Sequence, residues 1–171
     1  MRLKPAMTAS SRKTRAFIAI FAVTALAQFA LLLASPVRPW VDGFSGNLAA
    51  LSAWLITTCG GTCLQHAAVL ANPAKNFAME VRDGCNGINV VILLWAAILA
   101  YPSTRKWKLI GLGGGLAAIQ LLNLFRLISL FYLGQYSPST FEFAHLYLWE
   151  MLIIIDAMVV FSLWTRRAAQ S

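Results

Sequence analysis

The chain has 171 residues, 59% hydrophobic and 12% charged, with a mean hydropathy of +0.68. That balance excludes an ordinary soluble domain and fits an integral membrane protein built as one helical unit. The formal net charge of +8 gathers at the ends of apolar segments. It therefore reads as a topology signal and an attraction to membrane lipid, with no nucleic-acid partner.

Residues 1–15 carry Arg2, Lys4, Arg12, Lys13 and Arg15 and read as a disordered cytoplasmic tail. Residues 16–34 are apolar apart from Gln28 and long enough to span a bilayer. The run exceeds a signal-peptide core, and Leu32-Leu33-Ala34 matches a small-x-small cleavage site poorly, so the segment reads as a retained first span. Pro36 and Pro39 end it. Residues 35–86 form an outer region. Over residues 41–57, Phe44, Leu48, Leu51 and Leu55 recur at helical spacing, with Ser45, Asn47 and Ser52 elsewhere on the wheel. This predicts an amphipathic helix at the outer interface. Asp42 and two glycines argue against a further span there.

Cys59-Gly60-Gly61-Thr62 breaks that helix. Residues 63–70 and 77–83 are extended in character. Phe77, Met79 and Val81 alternate with Ala78, Glu80 and Arg82, the period of a half-exposed strand. Ala71-Asn72-Pro73-Ala74-Lys75-Asn76 between them is turn chemistry. A small β-hairpin thus leads into Cys85.

Residues 87–101 are the second span, only about 22 Å long against a hydrocarbon core of about 30 Å. Either flanking residues extend it or Cys85 lies below the outer surface. Pro102 ends it, and Arg105, Lys106 and Lys108 fill the inner loop. Residues 109–133 form a third span, about 37 Å if helical. Its inner end carries Gly113-Gly114-Gly115, suited to close helix approach or a local break. Its outer half carries Asn123 and Arg126. Residues 134–142 are a second outer loop. Residues 143–164 are the last span, opened by His145 and carrying Glu150 and Asp156. Residues 165–171, with Arg166 and Arg167, are a cytoplasmic tail. The predicted fold is an all-α integral membrane protein: a four-helix transmembrane bundle, residues 16–164, with an outer interfacial helix and a small β-hairpin. Both termini are predicted to be cytoplasmic, because basic residues stay inside.

That topology puts three chemically capable residues in one layer near the outer face. Gly84 and Gly87 let the chain turn sharply on either side of Cys85. A helix start favours thiolate there. Arg126 lies roughly 10 Å below the outer end of the third span and can reach upward. His145 sits at the outer start of the fourth. Cys85 as nucleophile, His145 as proton carrier and Arg126 as stabiliser of thiolate or oxyanion would suit acyl transfer on a peptide bond.

Each residue also has a purely structural reading. Arg126 can pair with Asp156 or Glu150. His145 can be an interface residue, and Cys85 a small residue at a helix start. Asn123 lies one turn before Arg126, to orient the guanidinium or to join helices. Glu150 and Asp156 read as structural or supporting. His66 is a rival histidine on a predicted strand. Cys59 and Cys63 read as a disulfide or as two buried thiols. No metal or cofactor is implied.

The ordered set Cys85-Asn86-Gly87, Asn123-Leu124-Phe125-Arg126 and His145 resembles the exosortase/archaeosortase family, over about residues 40–164. The resemblance implies an intramembrane cysteine transpeptidase of the bacterial cytoplasmic membrane. Its substrates would be exported proteins with a C-terminal short motif, a membrane helix and a basic cluster. By that resemblance Cys85 is the nucleophile, Arg126 the stabiliser and His145 the acid/base. The length is similar to the short form, exosortase H, whose partners carry an Ile-Pro-Thr-Leu type signal. Asn86 stands where Ser is common in that family. Two other classes share the size and spans. A four-helix thiol–disulfide oxidoreductase needs two cysteine pairs, and only Cys59 and Cys63 can pair here. That reading also leaves Arg126 and His145 without obvious work, and a non-enzymatic membrane scaffold is the third class.

Overall fold

The computed structural model describes residues 5–170, with side chains from residue 11 onward. Arg2 and Lys4 of the basic segment, and Ser171, lie outside the described residues. The elements are α1 (Pro5–Leu33), α2 (Arg38–Thr58), β1 (Leu64–His66), β2 (Val69–Asn72), β3 (Phe77–Glu80), α3 (Ile88–Ala100), α4 (Arg105–Tyr136), α5 (Pro138–Phe143) and α6 (Trp149–Ala168). A π-helical turn, Ala144–Leu148, joins α5 to α6. From Pro5 onward the expected irregular tail is helical.

Among the described residues, three helical stretches are long and apolar enough to cross a membrane: Ser11–Leu33, Arg105–Tyr136 and Pro138–Ala168. The fourth expected span, α3, has only 13 residues, or about 20 Å. Tyr101 and Pro102 leave the helix at one end, and the Gly87 turn precedes it at the other. α3 packs against α1, α4 and α6. The glycine run does not break α4. A Cβ on Gly115 would press on Leu94 of α3, and one on Gly111 would strike Trp164 of α6. In lipid, small residues at such crossings let helices approach closely.

The outer region adds one feature to the expectation and changes another. First, α2 buries Val41, Ser45, Leu48, Ala49, Ser52, Ala53 and Ile56. Of the apolar stripe Phe44, Leu48, Leu51 and Leu55, only Leu48 is buried. Leu51 is 44% exposed and Ser52 is 0% exposed. The small polar face turns inward because its hydroxyls have partners. Ser52 donates to the Leu48 carbonyl at 2.8 Å, and Ser45 accepts from Asn86 at 3.2 Å. Trp40, Leu51 and Trp54 are left outside. Gly60, at φ 85°, closes α2, with the Gly61 amide donating to the Ile56 carbonyl at 2.8 Å.

Second, the expected hairpin is part of a three-stranded antiparallel sheet in the order β1-β2-β3. Ala71 and Asn72, anticipated in a turn, belong to β2 and pair with Ala78 and Phe77. The Asn72 amide also donates to Gln135 Oε1 of α4 at 2.8 Å. The turn itself is the short 3₁₀ segment Pro73–Lys75, ended by Asn76 at φ 49°. Gly134 lets Phe77 lie against α4, where a Cβ would collide with its ring.

The core has two layers. One joins the sheet (Leu70, Met79, Val81) to α2 (Ala49, Ile56), α4 (Leu127, Phe131) and Trp149. The other lies between α3, α4 and α6, around Leu94, Ile98, Ile119, Ile153 and Trp164.

Candidate active site

Cys85 sits in a turn between β3 and α3, two residues before the Gly87 cap. It is thus ahead of the helix rather than in its first turn. Its amide donates to the Arg82 carbonyl at 2.9 Å. Gly84 (φ 88°) and Gly87 (φ 74°) both adopt the left-handed region, which other residues resist. Gly87 is also tightly covered. A Cβ there would lie 3.1 Å from Gln120 Nε2 and 3.3 Å from Asn123 Cγ.

Asn86 clamps this turn to three helices and is 1% exposed. Its Oδ1 accepts from the Ile88 amide at 3.1 Å, and its Nδ2 donates to Ser45 Oγ at 3.2 Å. Its carbonyl accepts from Gln120 Nε2 of α4 at 3.2 Å. Asp83 is held from α2 by Arg38 at 2.7 Å. The nucleophile candidate therefore stands on backbone fixed from several sides.

His145 lies on the π-helical turn, a feature frequent at functional sites. Ser137 and Pro138 set up this segment: Pro138 occupies the first turn of α5 and Ser137 Oγ accepts from the Thr140 amide. The imidazole stacks on Phe141 at 5.6 Å. Its Nε2 is 3.0 Å from Cys85 Sγ, hydrogen-bond distance for a thiol and an imidazole. Burial pushes the Cys85 thiol up, Arg126 pulls it down, and Glu150 adds a smaller upward push. Burial prevails, so the resting group is a thiol needing a base, rather than the thiolate that helix-dipole reasoning suggests.

Arg126 is 1% exposed and donates through Nη2 to Glu150 Oε1 at 3.0 Å. Of the two acidic partners left open by the sequence, Glu150 is the one used. Arg126 Nε is buried without a partner, as are both polar side-chain atoms of Asn123. Asn123 thus packs beside Gly87 but makes no hydrogen bond to the guanidinium. Sequence reasoning kept Glu150 in reserve. The only available signal was a second charge in the same membrane layer.

The remaining candidates lie elsewhere. His66 is exposed on β1, the strand farthest from Cys85 in the sheet. Cys59 is exposed, Cys63 is buried, and both are free thiols. The Gly60-Gly61 turn leaves Cys59 at the surface while Cys63 enters the core, so of the two readings, a disulfide or two buried thiols, the structure has free thiols of which Cys63 is the buried one. Asp156 is on α6, six residues beyond Glu150.

A cavity of about 300 Å³ opens onto Cys85 and His145. β3 forms one wall, with Leu130 of α4 and Phe141 opposite. The cavity offers a thiol, an adjacent base and room for a few side chains, while the buried Arg126 guanidinium is not among its lining residues and acts on Cys85 through its charge.

The family model for transmembrane exosortases matches residues 8–165. No curated protein and no solved structure matches the chain.

Proposed function

Since the chain belongs to the transmembrane exosortase family, we propose that it is an intramembrane cysteine transpeptidase. It cleaves a C-terminal sorting signal on exported proteins and transfers the product to an acceptor. The observation that carries this reading is the 3.0 Å approach of Cys85 Sγ to His145 Nε2. His145 takes the thiol proton, and the sulfur attacks the scissile carbonyl. Arg126 stabilises the thiolate and the developing oxyanion, where a fixed charge in a poorly hydrated site counts for more than in water. The tetrahedral adduct collapses as imidazolium returns the proton to the leaving amine, and a thioester remains on Cys85. An acceptor nucleophile then gives up its proton to His145, attacks the thioester and restores the thiol.

In this reading the bundle has four spans, with α3 as the short central one. Both termini are cytoplasmic and the site faces the outer side of the bacterial cytoplasmic membrane. The basic residues flanking the apolar segments support that orientation. Substrates carry a short motif, a membrane helix and a basic cluster, in keeping with the resemblance to the short form. A thiol–disulfide oxidoreductase would need two cysteine pairs, and the three cysteines supply at most one.

Hydroxylamine tests the acyl-enzyme. Membranes bearing the enzyme and a tagged substrate should release a product with a C-terminal hydroxamate. Cleavage that proceeds in hydroxylamine without any hydroxamate would remove the thioester from the scheme.

A further inference from the structure

β3 is the last strand of its sheet. Its outer edge has no strand partner among the described residues, and that edge borders the cavity that holds Cys85 and His145. The pairing register fixes which main-chain groups point there. The Val81 amide donates to the Ala68 carbonyl at 2.8 Å, and Leu70 pairs with Met79, Asn72 with Phe77. In an antiparallel ladder, hydrogen-bonded and non-bonded pairs alternate. Phe77, Met79 and Val81 therefore spend their main-chain groups on β2. Ala78 and Glu80 direct theirs to the open edge. No main-chain partner closes the amides and carbonyls of Ala78 and Glu80 among the described residues.

Edges of this kind are ready-made templates for another strand, and extended peptides use them for recognition. Here the edge is short, and five residues beyond Glu80 the chain reaches Cys85. The cavity, about 300 Å³ with Phe77, Met79, Leu130 and Phe141 on its walls, has room for a few apolar side chains but not for a second sheet. We infer that the substrate segment around the scissile bond docks as an added strand on the free edge of β3, hydrogen-bonded to Ala78 and Glu80, with its carbonyl delivered to Cys85. This rests on the proposed role of Cys85. It goes beyond that role by assigning main-chain recognition to an extended peptide. Affinity then comes from backbone pairing with a period of two, and selectivity from one or two apolar side chains facing the cavity.

The probe is a library of hexapeptide vinyl sulfones, which alkylate thiols irreversibly, applied to the full-length protein in membranes. Labelling at Cys85 is read by mass spectrometry. The fastest peptide should react well above ethyl vinyl sulfone itself. N-methylation should then slow labelling by about fivefold at alternate amides, the scale of one lost hydrogen bond, and leave the intervening amides unaffected. Ala78→Pro removes an edge amide without touching the β2 ladder, at a site where proline is tolerated in a sheet. It should erase the peptide's advantage while labelling by ethyl vinyl sulfone stays as in the parent protein. No peptide faster than ethyl vinyl sulfone, or N-methyl effects without the alternation, would overturn edge docking. A separate arm isolates the underlying reading: processing of a tagged substrate that survives in Cys85→Ala would remove the catalytic role, whatever the peptides show.

Discussion

The Arg126 guanidinium, almost wholly removed from solvent, donates to the Glu150 carboxylate at 3.0 Å, while the Glu150 side chain stays 49% exposed. The two charges act on Cys85 in opposite senses. Arg126 lowers its thiol pKa, Glu150 raises it, and burial raises it most. At neutral pH the thiol is therefore protonated, and alkylation should rise with pH through a midpoint above that of an ordinary cysteine. Arg126→Gln should move that midpoint further up, and Glu150→Gln should move it down. Iodoacetamide labelling of Cys85 against pH reads both shifts. A parent midpoint below the ordinary thiol value, or an upward shift in Glu150→Gln, would contradict this electrostatic picture.

Arg126→Lys should be a poor substitute. The guanidinium already commits Nη2 to Glu150, and Nε remains for a second group. Lys offers a point charge in place of that planar fork. Losing one oxyanion stabiliser typically costs about 10²–10³ in rate. Arg126→Ala should lose that much in initial processing rate, with Arg126→Lys recovering little of it. Near-parent processing by Arg126→Lys at matched abundance would count against a bidentate role.

Gly84→Ala and Gly87→Ala separate strain from crowding. Both glycines have positive φ, so each substitution carries backbone strain of about 1–3 kcal/mol. Only Gly87 adds crowding, against Gln120 and Asn123; a Cβ on Gly84 meets nothing. Gly87→Ala should therefore lower the melting temperature in detergent more and displace the Cys85 turn. Equal losses in the two variants would mean that the packing of Gly87 on α4 is unimportant.

Asn86→Ala should destabilise by about 1–3 kcal/mol, because it leaves buried partners unmet. Asn86→Ser can keep the bond to the Ile88 amide but is too short to hold Ser45 of α2 as well. Thermal unfolding should rank the parent above Asn86→Ser, and Asn86→Ser above Asn86→Ala. Equal losses in the two variants would contradict that ranking and show that the link to α2 alone carries the clamp.

The site layer was legible because intramembrane charges and a glycine-flanked cysteine stand out against an apolar background. Helix rise and topology were enough to expect Cys85 beside His145, which lie 3.0 Å apart. What escaped follows from local physics. The sequence predicts α2 as an interfacial helix without saying which face meets the protein, and beside lipid it is the small hydroxyl face that packs inward. β2 was shortened because Asn72 and Pro73 carry turn chemistry even though Asn72 finds a partner on α4. The π-helical turn under His145 has no composition signal, since it depends on how α5 meets α6. Glu150 was visible as a charge, but its choice of Arg126 depends on tertiary placement.

The most direct test of the central claim is processing of a tagged exported substrate in membranes by Cys85→Ala and His145→Ala, with the abundance of each variant checked by blot. The account predicts no processing by Cys85→Ala at parent abundance. It predicts strongly reduced processing by His145→Ala, partly recovered at higher pH where the thiol ionises without a base. Full processing by a well-expressed Cys85→Ala protein would contradict it.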